Sequence, residues 1–309
     1  MAEETAGTKG IGGKVLKWIG VATAVISFVL GVRQVVILVQ DHAARKKEAA
    51  GLSIEAKRLS SSGEYSQAWQ VAGKAAELSP EYRNVQIDMA MEWLRNARLP
   101  SNGGERTFAE ITQKLLPVLF RAIDTTRKDY SATIMAHIGW ANYLMFKEGD
   151  WGVRVDDQFK NALQMDSTNS YAQAMYGFWM LYPGHDGGSI DEANRHFAAA
   201  LRGGKDTAFV RYLRLCAYQN AAGPEYQAQI INLANEMRKN HESMARDERK
   251  KILDGAYFMY RDEIMKEVGK VLSPEDHLAT FMYLADGVDV EANRYYKAAL
   301  TNLQTAVHR

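Results

Sequence analysis

One ten-residue stretch occurs twice in this chain. Residues 192–201 read EANRHFAAAL and residues 291–300 read EANRYYKAAL, so seven of ten positions are identical across a separation of 99 residues. Alanine and an aromatic residue recur there at spacings of four and three, which places them on one face of a helix. Such a face suits close packing against another helix rather than a catalytic pocket. A separation near three times ~33 residues predicts tandem helix pairs.

A third segment carries the same pattern closer to the N-terminus. Residues 63–80 read GEYSQAWQVAGKAAELSP, where Gly63, Ala68, Ala75 and Pro80 fall at fixed offsets. This segment resembles the second helix of a tetratricopeptide repeat (TPR). The later copies keep the register from Gly188 and Gly287. Their matching residues are Ala193, Phe197 and Ala200, and then Ala292, Tyr296 and Ala299.

The resemblance implies an all-α fold, a right-handed α-solenoid of stacked helix hairpins. We expect repeats at residues 49–80, 132–167, 170–203 and 273–303, with degenerate helical pairs at 84–125 and 206–270. Gly139 and Gly177 take the place of the small residue on the first helix. Ala193, Ala200, Ala292 and Ala299 are expected to be buried at close helix contacts, where larger side chains would overpack.

An apolar run lies ahead of the repeats. Residues 18–39 read WIGVATAVISFVLGVRQVVILV, long enough at 1.5 Å per residue to span a ~30 Å hydrocarbon core. The sequence therefore predicts a flexible tail at 1–14, a transmembrane helix at 15–39 that contacts the lipid bilayer, and a repeat domain at 40–309. The alternatives are a very hydrophobic core helix and, less favoured, a signal peptide. The predicted localisation is a bacterial inner membrane, single-pass. Basic residues on both sides of the span leave the orientation open, with a lean to a periplasmic domain.

Sequence motifs of catalytic, phosphate-binding or metal-binding sites are nearly absent. GTKGIGGK at residues 7–14 lacks the Ser or Thr and the preceding strand of a phosphate loop. His185 and Asp186 could form a metal or acid/base pair, but their loop also reads as the turn before a helix capped by Ser189. We expect no catalytic residue, no metal site, no cofactor and no enzymatic activity. A net charge of +1 argues against a nucleic-acid partner.

The candidate binding site follows from the TPR resemblance, which places a concave groove on the first helices. Matching positions give an aromatic centre for that groove, and the alternative is that some of these rings fill the interior. An aromatic groove favours an apolar peptide, a partner helix or a small apolar ligand. The predicted partner-binding residues are Lys57, Trp140, Tyr143, Tyr171, Phe178, Tyr182 and Phe281.

A narrower resemblance concerns the turn before residue 189. Gly187 and Gly188, followed by Asp191-Glu192-Ala193, look like the TPR-type subunit associated with TRAP transporters. Two functions therefore stay open. The first is a membrane-anchored scaffold or adaptor that binds protein partners and helps assemble or localise a membrane complex. The alternative is a small-molecule-binding accessory subunit of a transport system.

Overall fold

The computed structural model describes residues 11–97, 107–183, 185, 188–221, 223–254 and 266–309, and for residues 11–32 and 35–37 only their backbone. Throughout these ranges the regular structure is helical, with no strand, which confirms the all-α class. The helices are α1 (Ile11–Ser61), α2 (Tyr65–Leu78), α3 (Arg83–Asn96), α4 (Thr107–Arg121), α5 (Lys128–Lys147), α6 (Val155–Met165), α7 (Ser170–Met180), α8 (Ile190–Gly203), α9 (Thr207–Asn220), α10 (Pro224–Lys239), α11 (Arg246–Asp254), α12 (Pro274–Leu284) and α13 (Arg294–Val307).

The chain divides into two compact units, Met1–Ala97 and Arg98–Arg309. In the first unit α2 folds back on the C-terminal part of α1 through a turn at Gly63, whose φ is 86°. α3 then packs against α2. Small side chains make this hairpin close, because Ala56 on α1 and Ala68 and Ala72 on α2 are fully buried together.

The second unit contains consecutive helix hairpins. α5 pairs with α6 and α7 pairs with α8, while α5 also packs on α7 and α7 on α9. The first-helix glycines lie at the pair contacts. A Cβ added at Gly139 would lie 2.8 Å from the Phe159 ring, and one at Gly177 would lie 3.2 Å from the Ala193 carbonyl oxygen. The missing side chain at both positions therefore lets the paired helices approach closely.

Side-chain caps fix several helix starts. The Ser189 hydroxyl accepts a hydrogen bond from the Glu192 N–H at 3.2 Å, and Ser273 accepts one from Asp276 at 3.1 Å. Glu148, just after α5, caps a different helix. Its carboxylate accepts the N–H groups of Phe108 and Ala109 at 2.7 and 2.8 Å, which ties the start of α4 to the end of α5.

Three of the four alanines expected at close contacts are fully buried, namely Ala193, Ala200 and Ala299. The expectation for Ala292 is wrong, since this residue is exposed and precedes α13, which begins at Arg294. The second copy of the repeated stretch therefore becomes helical only from its fourth residue.

The single-pass inner-membrane localisation predicted from residues 15–39 is wrong. Among the helices in the described ranges, none is long and apolar enough to cross a membrane. Residues 15–39 form part of α1, which continues unbroken to Ser61. The side chains described along this stretch include exposed Arg33 and Gln34, and an arginine near a bilayer centre is costly. Residues 1–10 of the predicted tail lie outside the described residues.

Candidate functional site

Four of the predicted groove residues meet in one aromatic cluster in the second unit. Trp140 and Tyr143 lie on α5, Phe178 lies on α7 and Tyr182 follows α7. The Tyr143 ring occupies the centre, with centroids 4.7 Å from Trp140, 5.1 Å from Phe178 and 5.2 Å from Tyr182. Edge-to-face contacts of this kind stabilise aromatic groups beyond simple area burial.

Most of this cluster is interior rather than surface. Trp140 is 7% exposed, and Tyr143 and Phe178 are each 4% exposed, whereas Tyr182 is half-buried. Burial, with a smaller contribution from nearby Tyr182, raises the pKa of the Tyr143 hydroxyl, which therefore stays neutral at physiological pH. Of these four rings, only Tyr182 is positioned to touch a partner without a rearrangement.

Two further aromatic residues that were not predicted join the cluster. Trp179 stacks on Tyr182 at 5.7 Å between centroids, and the Phe146 ring meets Trp179 edge-on at 5.3 Å. Both residues follow from a spacing of three, since Phe146 lies three residues after Tyr143 on α5 and Trp179 lies three residues before Tyr182. The TPR groove positions do not include them.

Tyr171 lies at the start of α7 and makes different contacts. Its ring centroid is 5.0 Å from that of His137 and 6.1 Å from that of Phe209. Its hydroxyl donates to Asp206 Oδ2 at 3.3 Å, and Asp206 in turn caps α9. Tyr171 is half-buried and links α5, α7 and α9 at one end of their packed row.

The two remaining predicted residues lie elsewhere. Lys57 is exposed on α1 in the first unit. Phe281 is fully buried on α12, one turn beyond His277, which is 2% exposed. The predicted roles of Lys57 and Phe281 in partner binding stay predictions.

The loop after α7 contains the His185 that sequence analysis paired with Asp186. Asp186 lies outside the described residues. Among the described residues His185 faces Asp156 on α6, with 3.6 Å from Nε2 to Oδ1. The imidazole also lies 5.3 Å from the Trp179 ring. Over the described part of the chain no group of three His, Cys, Asp or Glu residues could hold a metal ion. The described contacts of His185 are thus with Asp156 on α6 and Trp179 on α7, and they connect the loop to these two helices.

A cavity of about 480 Å³ lies between α9, α10, the start of α11 and the segment that joins the last two. Its wall is largely apolar, and an ion pair lies at its edge, with Arg211 Nη1 2.5 Å from Glu242 Oε2. This site has no signal in the sequence, because no repeat motif falls on these helices. The lining residues are Ala208, Arg211, Tyr212, Leu215, Leu233, Met237, Glu242, Ser243, Met244, Ala245 and Glu248.

Comparison with known proteins does not identify a family. The chain matches no protein-family model, no curated protein and no solved structure. The resemblances to TPR proteins and to the TRAP-associated subunit therefore stay predictions.

Proposed function

We propose that this chain is a TPR-like helical-repeat adaptor that binds a protein partner through the first helices of its hairpins. The observation that carries the proposal is the row formed by α5, α7 and α9. α5 packs on α7 and α7 packs on α9, so the three first helices lie side by side. In a TPR-like right-handed α-solenoid, this row forms the concave surface on which a peptide or a partner helix binds.

The aromatic cluster supports this proposal by making one surface residue rigid. Tyr182 is held by Tyr143 on one side and by the stacked Trp179 on the other. A tyrosine held in this way loses little conformational entropy when it binds, and its hydroxyl can still donate or accept a hydrogen bond. Tyrosines in such settings are frequent among the residues that dominate binding energy.

The alternative role, a small-molecule-binding accessory subunit, would place its ligand among the same rings. Because Trp140, Tyr143 and Phe178 pack against one another at 4.7 to 5.3 Å between centroids, they already occupy the centre. A protein segment that covers the half-buried edge at Tyr182 fits this packing better than a ligand inserted into it.

The proposal is tested by site-specific photo-crosslinking with the full chain. A photoreactive phenylalanine analogue placed at Tyr182 should capture a discrete protein partner in cells. The same analogue at Gln164, exposed on the second helix α6, should not. Equal capture from the two positions, or none from Tyr182, would contradict the proposal.

The captured partner then allows a quantitative test. The Tyr182→Ala variant should bind it roughly thirtyfold more weakly, because a buried aromatic anchor contributes about 2 kcal/mol. The Gln164→Ala variant serves as the matched control and should bind with unchanged affinity. Both variants are checked by circular dichroism first, so that loss of folding is not read as loss of binding.

A further inference from the structure

The cavity between α9, α10 and α11 has the size and wall of a ligand site. Its volume of about 480 Å³ falls within the range of roughly 300 to 1,000 Å³ typical of small-molecule pockets. Leu233 and Met244 are buried in its wall, and Met237 and Leu215 add further apolar surface. Methionine side chains adapt to ligands of irregular shape. The wall therefore suits an apolar ligand body.

The cavity is held open by contacts that fix the segment between α10 and α11. Glu242 forms the ion pair with Arg211 on α9, and its carbonyl oxygen accepts the hydroxyl of Tyr283 on α12 at 2.9 Å. Arg249 on α11 pairs with Asp286 beyond α12, 3.0 Å from Nη1 to Oδ2. These contacts reach the surrounding helices, so the wall is formed without a ligand.

The charges around the cavity do not balance. Arg211 and Glu242 neutralise each other, whereas Glu248 forms no ion pair within the ranges that the structure describes. The neighbouring arginines have other partners, since Arg246 donates to the Gly287 carbonyl oxygen at 3.0 Å and Arg249 pairs with Asp286. One carboxylate of the lining is therefore left for a cation, and a half-buried carboxylate gains from pairing with one.

We infer that this cavity binds a small organic cation, with an apolar body between Leu233 and Met244 and an ammonium group against Glu248. Tyr212 adds an aromatic side chain to the wall, and aromatic faces also attract cations. This site is separate from the Tyr182 surface, and the inference does not rest on the adaptor function.

The test uses two probes of equal length, n-octylammonium and n-octanol, titrated into the full chain at pH 7 by calorimetry. The ammonium probe should saturate one site with at least tenfold higher affinity than the alcohol, since a hydrogen bond between two charged groups is stronger than one between a carboxylate and a neutral hydroxyl. Glu248→Gln should reduce the affinity for octylammonium to that for octanol. Ala208→Trp, a change at an exposed lining position, should block both probes.

Glu110→Gln is the matched control, because Glu110 is also an acidic residue in the first turn of a helix but lies on α4 and is exposed. This variant should keep the full preference for octylammonium. The inference is overturned if folded wild-type protein binds neither probe at a single site, if it binds both equally, or if Glu248→Gln keeps the preference. Photo-crosslinking from Tyr182 would be unaffected by any of these results, which keeps the two proposals distinguishable.

Discussion

Acidification should destabilise the second unit through one buried imidazole. His277 on α12 is 2% exposed, and its Nε2 has no hydrogen-bond partner among the described residues. One turn further along α12, Thr280 donates a hydrogen bond to Asn235 on α10 at 3.1 Å, so this face of α12 packs against α10. Protonation of His277 would place a charge in this contact, and burial alone lowers its pKa from 6.5 to about 4.

The sign and size of the effect follow from this pKa. Below pH 6.5 the unfolded chain takes up a proton at His277 while the folded chain does not, so acid favours unfolding. The full stability is present above pH 6.5 and falls as the pH drops towards about 4, where the folded state is protonated as well. At 1.36 kcal/mol per pH unit, the interval from 6.5 to about 4 corresponds to a loss of about 3 kcal/mol.

The assay measures hydrogen exchange of the α10 and α12 peptides in wild type and in His277→Leu. At each pH from 7.5 to 4 the two proteins are compared under the same conditions. Between these limits the wild type should lose about 3 kcal/mol more opening free energy than the variant. Neighbouring Asp276, which is paired with Arg238 and Lys239, contributes equally to both proteins and cancels.

Exposed His308 supplies the control, because His308→Leu should follow the wild-type pH dependence. Parallel pH curves for wild type and His277→Leu would mean that His277 does not cause the loss of stability in acid. So would a directly measured pKa near 6.5 for His277 by nuclear magnetic resonance.

Two further predictions concern stability. Glu148→Gln should lower the free energy of unfolding by about 1 to 2 kcal/mol, because the Glu148 carboxylate caps the start of α4. The control Asp150→Asn, in the exposed turn nearby, should change the free energy of unfolding little. Equal thermal midpoints for the two variants would contradict the capping role of Glu148. Ala200→Leu should cost about 1 to 3 kcal/mol by overpacking a fully buried contact, while Ala292→Leu at an exposed position should leave the midpoint of thermal unfolding almost unchanged.

Local signals in the sequence predict the helix pairing well. Gly139 and Gly177, which the TPR resemblance places at the small-residue position of a first helix, lie against Phe159 and Ala193 on the paired helix. The caps at Ser189 and Ser273 follow from a hydroxyl residue placed before a helical pattern. These features depend on residues that are close in sequence or fixed by one helix contact.

The second copy of the repeated stretch shows where such reasoning fails. Ser189 caps α8, but the equivalent position in the second copy is Val288, which has no side-chain acceptor. Asn293 caps the helix instead, with its Oδ1 accepting the Tyr295 N–H at 3.0 Å. α13 therefore starts later than α8 relative to the shared residues, and Ala292 lies exposed before its first residue.

The exposure of the aromatic residues is harder to predict than their contacts. Spacing on α5 and α7 correctly predicts that the rings meet, but it does not distinguish a groove from an interior, because an aromatic side chain suits both. The cavity depends on Arg211, Glu242 and Glu248, which come from different helices and one connecting segment. Tertiary packing brings these residues together, and no short sequence motif predicts that they are close.

The length of α1 has a mechanical consequence. A continuous helix of 51 residues is about 75 Å long, and its described side chains between Leu38 and Glu48 are exposed before packing begins at Ala49. Such a helix fixes both the distance between its two ends and the rotation of one end relative to the other about the helix axis. Removing one residue from the helix would rotate the residues before the deletion by about 100° about the helix axis and shift them by about 1.5 Å. Removing 18 residues would shorten the helix by about 27 Å and restore the original rotation.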